Sequence, residues 1–246
     1  RRRRAIATRK RARRGNGLRN ALASRTLRRV RIGLAVGFVA LCLLGAISAH
    51  VATHDSLTRF DQTVLETLHR ESSPTGVSVA TFISRLGSPI MMTVIAFAGA
   101  LVLAGLGEWI VLGGWAAAFA GASWIDHWLK LTIHRPRPVY AAALLQTGTW
   151  SFPSGHAMGS LVGYGMLAYI LMLAFKGKRP VQTLIAVLAG TLIFAIGLSR
   201  LYLGVHYFSD VLGGYAAGLL WLSICVSAVE LGRRWERRAL SLHPTG

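Results

Sequence analysis

The sequence predicts an all-α, polytopic membrane protein in which six transmembrane helices form one bundle. Three observations point there. Apolar residues make up 53% of the chain, charged residues only 15%, and mean hydropathy is +0.47, whereas a water-soluble domain carries about 25% charged residues. Six apolar runs are long enough to cross a hydrocarbon core of about 30 Å, which takes roughly 20 helical residues. The basic clusters Arg1–Arg31, Lys176–Arg179 and Arg233–Arg238 all fall on one side of an even number of spans, the side that positive charge marks as cytoplasmic.

The chain begins with a basic tail, residues 1–31, which holds 14 of the 28 Lys and Arg; no acidic residue precedes Asp55. A net charge of +19 would suit a nucleic-acid binder, but the tail lacks interleaved aromatics for base stacking. It abuts an apolar run instead, as a cytoplasmic anchor on anionic lipid does. The expected partner is the bilayer, with no nucleic acid.

Residues 32–230 form the predicted six-span domain, with spans near Ile32–Ala52, Pro89–Leu106, Trp109–Leu129, His156–Phe175, Val181–Leu198 and Val211–Val229. The first run is too long, and too poor in small residues at a cleavage position, for a removed signal peptide. Between the first two spans, Leu57, Phe60, Val64 and Leu68 recur at helical spacing, with Asp61, Glu66 and Glu71 elsewhere, as in a helix on the outer surface; a solvated loop is the alternative. In the third span Trp109 and Trp128 are 19 residues apart, about 28 Å of helix, and would mark the two interfaces. Small residues recur every four positions at Gly113, Ala117, Gly121; Gly155, Gly159, Gly163; and Gly214, Gly218, spacing that lets helices pack closely in lipid. Cys42 and Cys225 read as small buried hydrophobes. Residues 231–246 read as a second cytoplasmic tail, which places both termini inside.

Three segments interrupt the apolar pattern: KLTIHRPRP (Lys130–Pro138), FPSGH (Phe152–His156) and SRLYLGVHYFSD (Ser199–Asp210). Each sits at an odd-to-even junction between spans, so all three fall on one side of the membrane. With the termini inside, that side is outside. Ionisable groups near a span are costly, roughly 3 kcal/mol each at its centre, and this many together need a use. His206 and Asp210 are four apart, so the carboxylate can hold one ring nitrogen and leave the other as a nucleophile. Ser199 and Arg200 would join the same pocket if their helix continues to His206, although Gly204 can interrupt it. Lys130, Arg137 and Arg200 supply the fixed cations that phosphoryl transfer needs around three equatorial oxygens. Ser154 can donate its hydroxyl, Gly155 admits an anion to a helix N-terminus, and His156 can protonate a leaving alkoxide. Blander readings stay open for single residues. Lys130 has Asp126 one turn back as a partner, and Arg135 with Arg137 can form a rigid basic loop. His50 and His54 have ligand spacing without an evident third ligand, so no metal site is expected.

These segments resemble the signature of the type 2 phosphatidic acid phosphatase superfamily, which includes undecaprenyl pyrophosphate phosphatases and vanadium haloperoxidases. Lys130 is followed after six residues by Arg137 and Pro138; Pro153–His156 is PSGH; Ser199, Arg200, His206 and Asp210 match the third motif. The resemblance covers about residues 78–229. It implies a membrane lipid phosphatase without metal or other cofactor, working through a phosphohistidine on His206 oriented by Asp210, with His156 as acid. Lys130, Arg137, Ser154, Gly155 and Arg200 would hold phosphate, supported by Pro138, Pro153 and Ser199. It implies a helical core with its site at the outer leaflet of a bacterial-type plasma membrane. A phosphate transporter and a vanadate-dependent haloperoxidase are the rival readings. Neither the lipid nor the oligomeric state follows from the sequence.

Overall fold

The computed structural model describes residues 2–53, 56–138 and 150–242, with side chains left out at residues 2–23, 25, 56–57 and 240–242. His54, Asp55, the side chain of Leu57 and most of the predicted basic tail's side chains therefore lie outside the described residues. Among the described residues eight helices follow one another: α1 (Arg2–Thr53), α2 (Ser56–Arg70), α3 (Pro74–Leu86), α4 (Pro89–Gly105), α5 (Trp109–Ile133), α6 (Gly155–Ala174), α7 (Arg179–Tyr202) and α8 (Phe208–Leu242). No strand occurs among the described residues.

Local chemistry sets the boundaries. Ser73 and Ser88 cap α3 and α4, their hydroxyls accepting from the backbone N–H groups of Gly76 and Met91 at 3.1 and 3.3 Å, and each cap is followed by Pro at the first helical position. Gly107 and Gly177 turn the chain at positive φ, 69° and 90°, after α4 and α6. All six predicted spans lie on helices, α1 and α4 to α8. Among the described residues five apolar helical stretches are long enough to cross a membrane: 26–53, 74–105, 155–174, 179–202 and 208–239. Tryptophans, glycines and the Asp126–Lys130 pair dilute the apolar character of α5, the remaining predicted span. The second apolar stretch joins α3 to α4, so the region after the first span holds two helices where the sequence showed one.

The surface is inverted relative to a soluble protein. Ile90, Phe97 and Leu101 point outward, whereas the core holds Trp115, Ala118, Met158, Val162 and Met166. Glycines admit bulky partners: a side-chain carbon at Gly121 would lie 2.2 Å from the Trp221 ring, and one at Gly163 2.8 Å from the Met92 sulfur. The predicted packing stripe on α5 is only partly used: Gly113 has nothing within 4 Å, whereas Gly121 lies against the Trp221 ring, whose indole N–H also donates to the Ala117 carbonyl at 3.2 Å.

The two ends of the bundle differ in kind. At one end Arg29 pairs with Glu230 at 2.8 Å and Arg233 approaches Glu108 at 3.8 Å, gathering the basic ends of α1 and α8 with the α4–α5 turn. The end of α5, the start of α6 and the α7–α8 junction meet at the other.

Candidate active site

Three junctions converge because each is stopped and then fastened to the next. α5 ends where His134 turns left-handed (φ 51°), its N–H donating to the Lys130 carbonyl at 3.2 Å, and the chain leaves as Arg135–Pro138. Ser151 N–H returns to the Arg135 carbonyl at 2.8 Å, and Ser154 N–H donates to the Asp210 carbonyl at 2.9 Å. Ser154 thus binds the start of α6 to the start of α8. Gly214 allows this approach: a side-chain carbon there would lie 2.6 Å from the Ser154 carbonyl oxygen. Pro153 follows Phe152 through a cis peptide, and Pro138 is buried beside the loop.

His206 sits at the centre, buried between these segments. Its Nδ1 is 3.4 Å from Asp210 Oδ2 and its Nε2 is 3.2 Å from Arg137 Nη1. A guanidinium has only donors, so Nε2 presents its lone pair and the ring hydrogen of the neutral form is assigned to Nδ1, toward Asp210. Burial pushes the His206 imidazole down to about 4; Asp210 opposes this, while Arg200 and Arg137 add to it. The ring is therefore neutral at ordinary pH, the state a nitrogen nucleophile needs.

Asp210 is fully committed. Oδ2 accepts from Tyr207 N–H at 2.9 Å, reaching back across the first turn of α8, and from the Ser151 hydroxyl. Oδ1 accepts from Arg135 Nη1 at 2.6 Å. The carboxylate cannot rotate away without leaving several buried donors unpaired.

Cations surround the free face of His206. Arg137 also donates to the Val205 carbonyl at 3.0 Å; burial lowers its guanidinium from the ordinary arginine value, against the attraction of Asp210 and Asp126. Arg200, buried on α7, donates to the Ser84 hydroxyl on α3. His156, in the first turn of α6, lies within electrostatic range of Arg200, His206, Lys130 and Arg137. Lys130 Nζ is 2.6 Å from Asp126 Oδ2, so the bland partner named from sequence is present. The pair nonetheless lies against the N-terminus of α6: a side-chain carbon at Gly155 would be 3.1 Å from Asp126 Oδ2 and 3.2 Å from Lys130 Nζ. Ser154 Oγ is buried and hydrogen-bonds to none of the described residues. Cations, a helix N-terminus and a neutral imidazole with an outward lone pair suit a tetrahedral oxyanion. Among the described residues no three His, Cys, Asp or Glu converge as metal ligands would.

Two expectations need correcting. α7 stops at Tyr202 and Gly204 takes φ 64°, so Ser199 and His206 do not share a helix. The Ser199 hydroxyl bonds inside α7, donating to the Ile196 carbonyl at 2.6 Å. The His206–Asp210 pair forms, but from a loop residue and the first turn of α8 rather than along one helix. Arg135 is no mere loop cation, since it holds Asp210. Asp61, Ser84, Asp126 and Ser151 also contribute to the cluster without having been singled out for it. Only Asp126, one turn from Lys130, carried a local signal.

Phosphatidylglycerophosphatase B of Bacillus subtilis is 38% identical over 112 residues, covering 45% of this chain and 54% of that protein. Decaprenylphosphoryl-5-phosphoribose phosphatase of Mycobacterium tuberculosis is 32% identical over 134 residues, covering 53% and 66%. The chain thus spans about half to two thirds of these relatives. The crystal structure of the transmembrane PAP2-type phosphatidylglycerolphosphate phosphatase from B. subtilis superposes with a TM-score of 0.63 at 27% identity, covering 79% of this chain and 94% of that one. Aquifex aeolicus LpxE shares the fold at 21% identity and a TM-score of 0.51, covering 67% and 93%. The family model for the PAP2 superfamily matches residues 111–234, the stretch that contributes His156, Arg200, His206 and Asp210 together with Lys130, Arg135 and Arg137 at the α5 end, and the chain belongs to that superfamily.

Proposed function

We propose that this protein is an integral membrane phosphatase that hydrolyses lipid phosphates or lipid diphosphates through a phosphohistidine. The carrying observation is His206, neutral and buried, with Nδ1 toward Asp210 and Nε2 toward Arg137. In the proposed reaction the Nε2 lone pair attacks phosphorus and the bond from phosphorus to the lipid oxygen breaks. His156 gives its proton to that oxygen. Water then attacks the phosphohistidine while His156 takes a proton from it, so phosphate leaves and both imidazoles return to their starting states. Lys130, Arg137, Arg200, the Ser154 hydroxyl and the backbone at Gly155 hold the equatorial oxygens. Pro138 and Pro153 shape the loops, and Ser199 supports Arg200 from within α7.

The named relatives act on phosphatidylglycerophosphate and on a decaprenyl phosphosugar. Both place a phosphate on a long apolar body, which supports the lipid class and leaves phosphatidic acid, phosphatidylglycerol phosphate and undecaprenyl pyrophosphate as candidates. The basic end of the bundle supports a cytoplasmic placement of both termini, with the tail on anionic lipid and the site at the outer face. The test is phosphate release in detergent from a panel of those three lipids, with chelator present. We expect turnover of at least one, unaffected by chelator and abolished in His206→Ala. Undiminished turnover in that variant would remove the nucleophile.

A further inference from the structure

Two members of a buried ionic cluster behind His206, Arg135 and Asp61, have no place in the reaction just described. Arg135 reaches two carboxylates at once: Nη1 to Asp210 Oδ1 at 2.6 Å and Nη2 to Asp61 Oδ2 at 2.7 Å. All three side chains are nearly or wholly buried. Asp61 comes from α2, outside the family-matched region. Its Oδ1 accepts from Ser209 N–H at 2.9 Å, in the first turn of α8, and its Oδ2 accepts from the Ser209 hydroxyl. Arg135 Nη1 also donates to that hydroxyl at 2.7 Å, and the guanidinium lies 4.1 Å over the Tyr207 ring.

Burying three charges is expensive unless they are paired and hydrogen-bonded. Here each is, and the pairs lie on either side of His206 in sequence and directly behind it in space. Asp61, Leu65 and Leu68 of α2 line the same crevice as His206. Burial alone would weaken the Arg135 charge, but Asp210 and Asp61 together outweigh it and hold the guanidinium above its ordinary value.

We propose that Asp61 and Arg135 are positioning residues for the phosphatase reaction, locking Asp210 against His206 and sharing its negative charge, so that α2 is a working part of the site. Asp61 restrains Arg135, and Arg135 restrains Asp210. The assignment rests on reading His206 as the nucleophile.

The groups facing His206 are Asp210 on α8, Ser151 and Arg137 from the loops, Arg200 on α7 and His156 on α6. Arg135 and Asp61 act on it from behind Asp210. Loss of a cation there favours protonation of His206; loss of an anion disfavours it. The experiment is the pH profile of kcat/KM for the purified full-length protein in detergent, using whichever lipid phosphate the wild type hydrolyses. We expect the acid limb to move up by about one pH unit in Arg135→Gln and down by a smaller amount in Asp61→Asn. In the double variant it should return toward the wild-type position. kcat should fall about ten- to a hundred-fold in each single variant, as when an orienting partner is lost. A damaged fold lowers the active fraction and scales the profile without sliding it. If Arg135→Gln does not accumulate, Asp61→Asn decides: a limb that slides to lower pH supports the proposal, and one that stays overturns it. Single variants sliding the same way also overturn it. Absence of any turnover in wild type would strike the phosphatase reading instead.

Discussion

Arg137 stands 3.2 Å from the Nε2 of His206 through its Nη1 and is held there by the Val205 carbonyl, one residue before that histidine. The cation and Nε2 of His206 are thus tied to the same short loop, and an oxyanion approaching one meets the other.

Replacing Arg137 should therefore damage both binding and chemistry. Arg137→Ala is expected to lower kcat/KM at least about a hundredfold, the usual cost of losing a fixed oxyanion donor. Arg137→Lys should recover little, because an ammonium cannot span the Val205 carbonyl and a phosphoryl oxygen as a planar fork does. Steady-state kinetics on the lipid phosphate decide it; a change confined to KM would make Arg137 a docking group only.

Stability should depend on pH through His206. The unfolded imidazole takes a proton near its ordinary value of 6.5, whereas the buried one does so only near 4. Between these values the unfolded state binds more protons, so folding weakens as pH falls from 6.5 toward 4, by on the order of 3 kcal/mol for this group. Melting temperatures across that interval should fall less steeply in His206→Gln than in wild type. Parallel slopes would contradict the burial described here.

Gly214 should tolerate no side chain. An added methyl would sit 2.6 Å from the Ser154 carbonyl, 3.1 Å from the Ala157 side chain and 3.2 Å from the Met158 nitrogen, two of them backbone atoms that cannot swing aside. Gly214→Ala should destabilise by about 1–3 kcal/mol and reduce activity at least about tenfold by displacing the start of α6. Gly105→Ala, with nothing within 4 Å of the new carbon, serves as the control. Equal melting temperatures for the two variants would refute the packing argument.

Asp126 places a negative charge beside the cations, 2.6 Å from Lys130. Asp126→Asn should let product phosphate bind more tightly, its inhibition constant falling about three- to tenfold, since a like charge near an anion site opposes occupancy. Inhibition by inorganic phosphate measures this directly. A rise instead would mean that orienting Lys130 outweighs the repulsion.

The candidate site was legible wherever its signals are local. Motif spacing singled out His156, Arg200, His206 and Asp210, which the fold brings together. Phe60, Val64 and Leu68 carried the helical spacing of α2, with a solvated loop left open as the alternative. What could not be read is the pairing of Asp61 with Arg135, 74 positions away, since an acidic residue on an amphipathic helix looks the same whether it faces water or a buried guanidinium. The stop at Gly204 was visible only as a possibility; its φ of 64° depends on how α7 and α8 pack. α3 was not legible because the predicted second span starts at Pro89, and the Ser73–Pro74 cap that opens α3 is a two-residue signal within a polar stretch.

The separation of Asp61, Arg135 and Asp210 along the chain also dictates an order of assembly. Asp61 and Ser209 are 148 residues apart and the guanidinium that joins them lies between. Asp61 and Arg135 can pair as soon as both are in place, but the cluster closes only when α8 brings Ser209 and Asp210. A nascent chain stalled before its last helix already holds His206 and the cations of the other junctions, but not the carboxylate that faces Nδ1, so the imidazole would stand among positive charges with nothing to orient it.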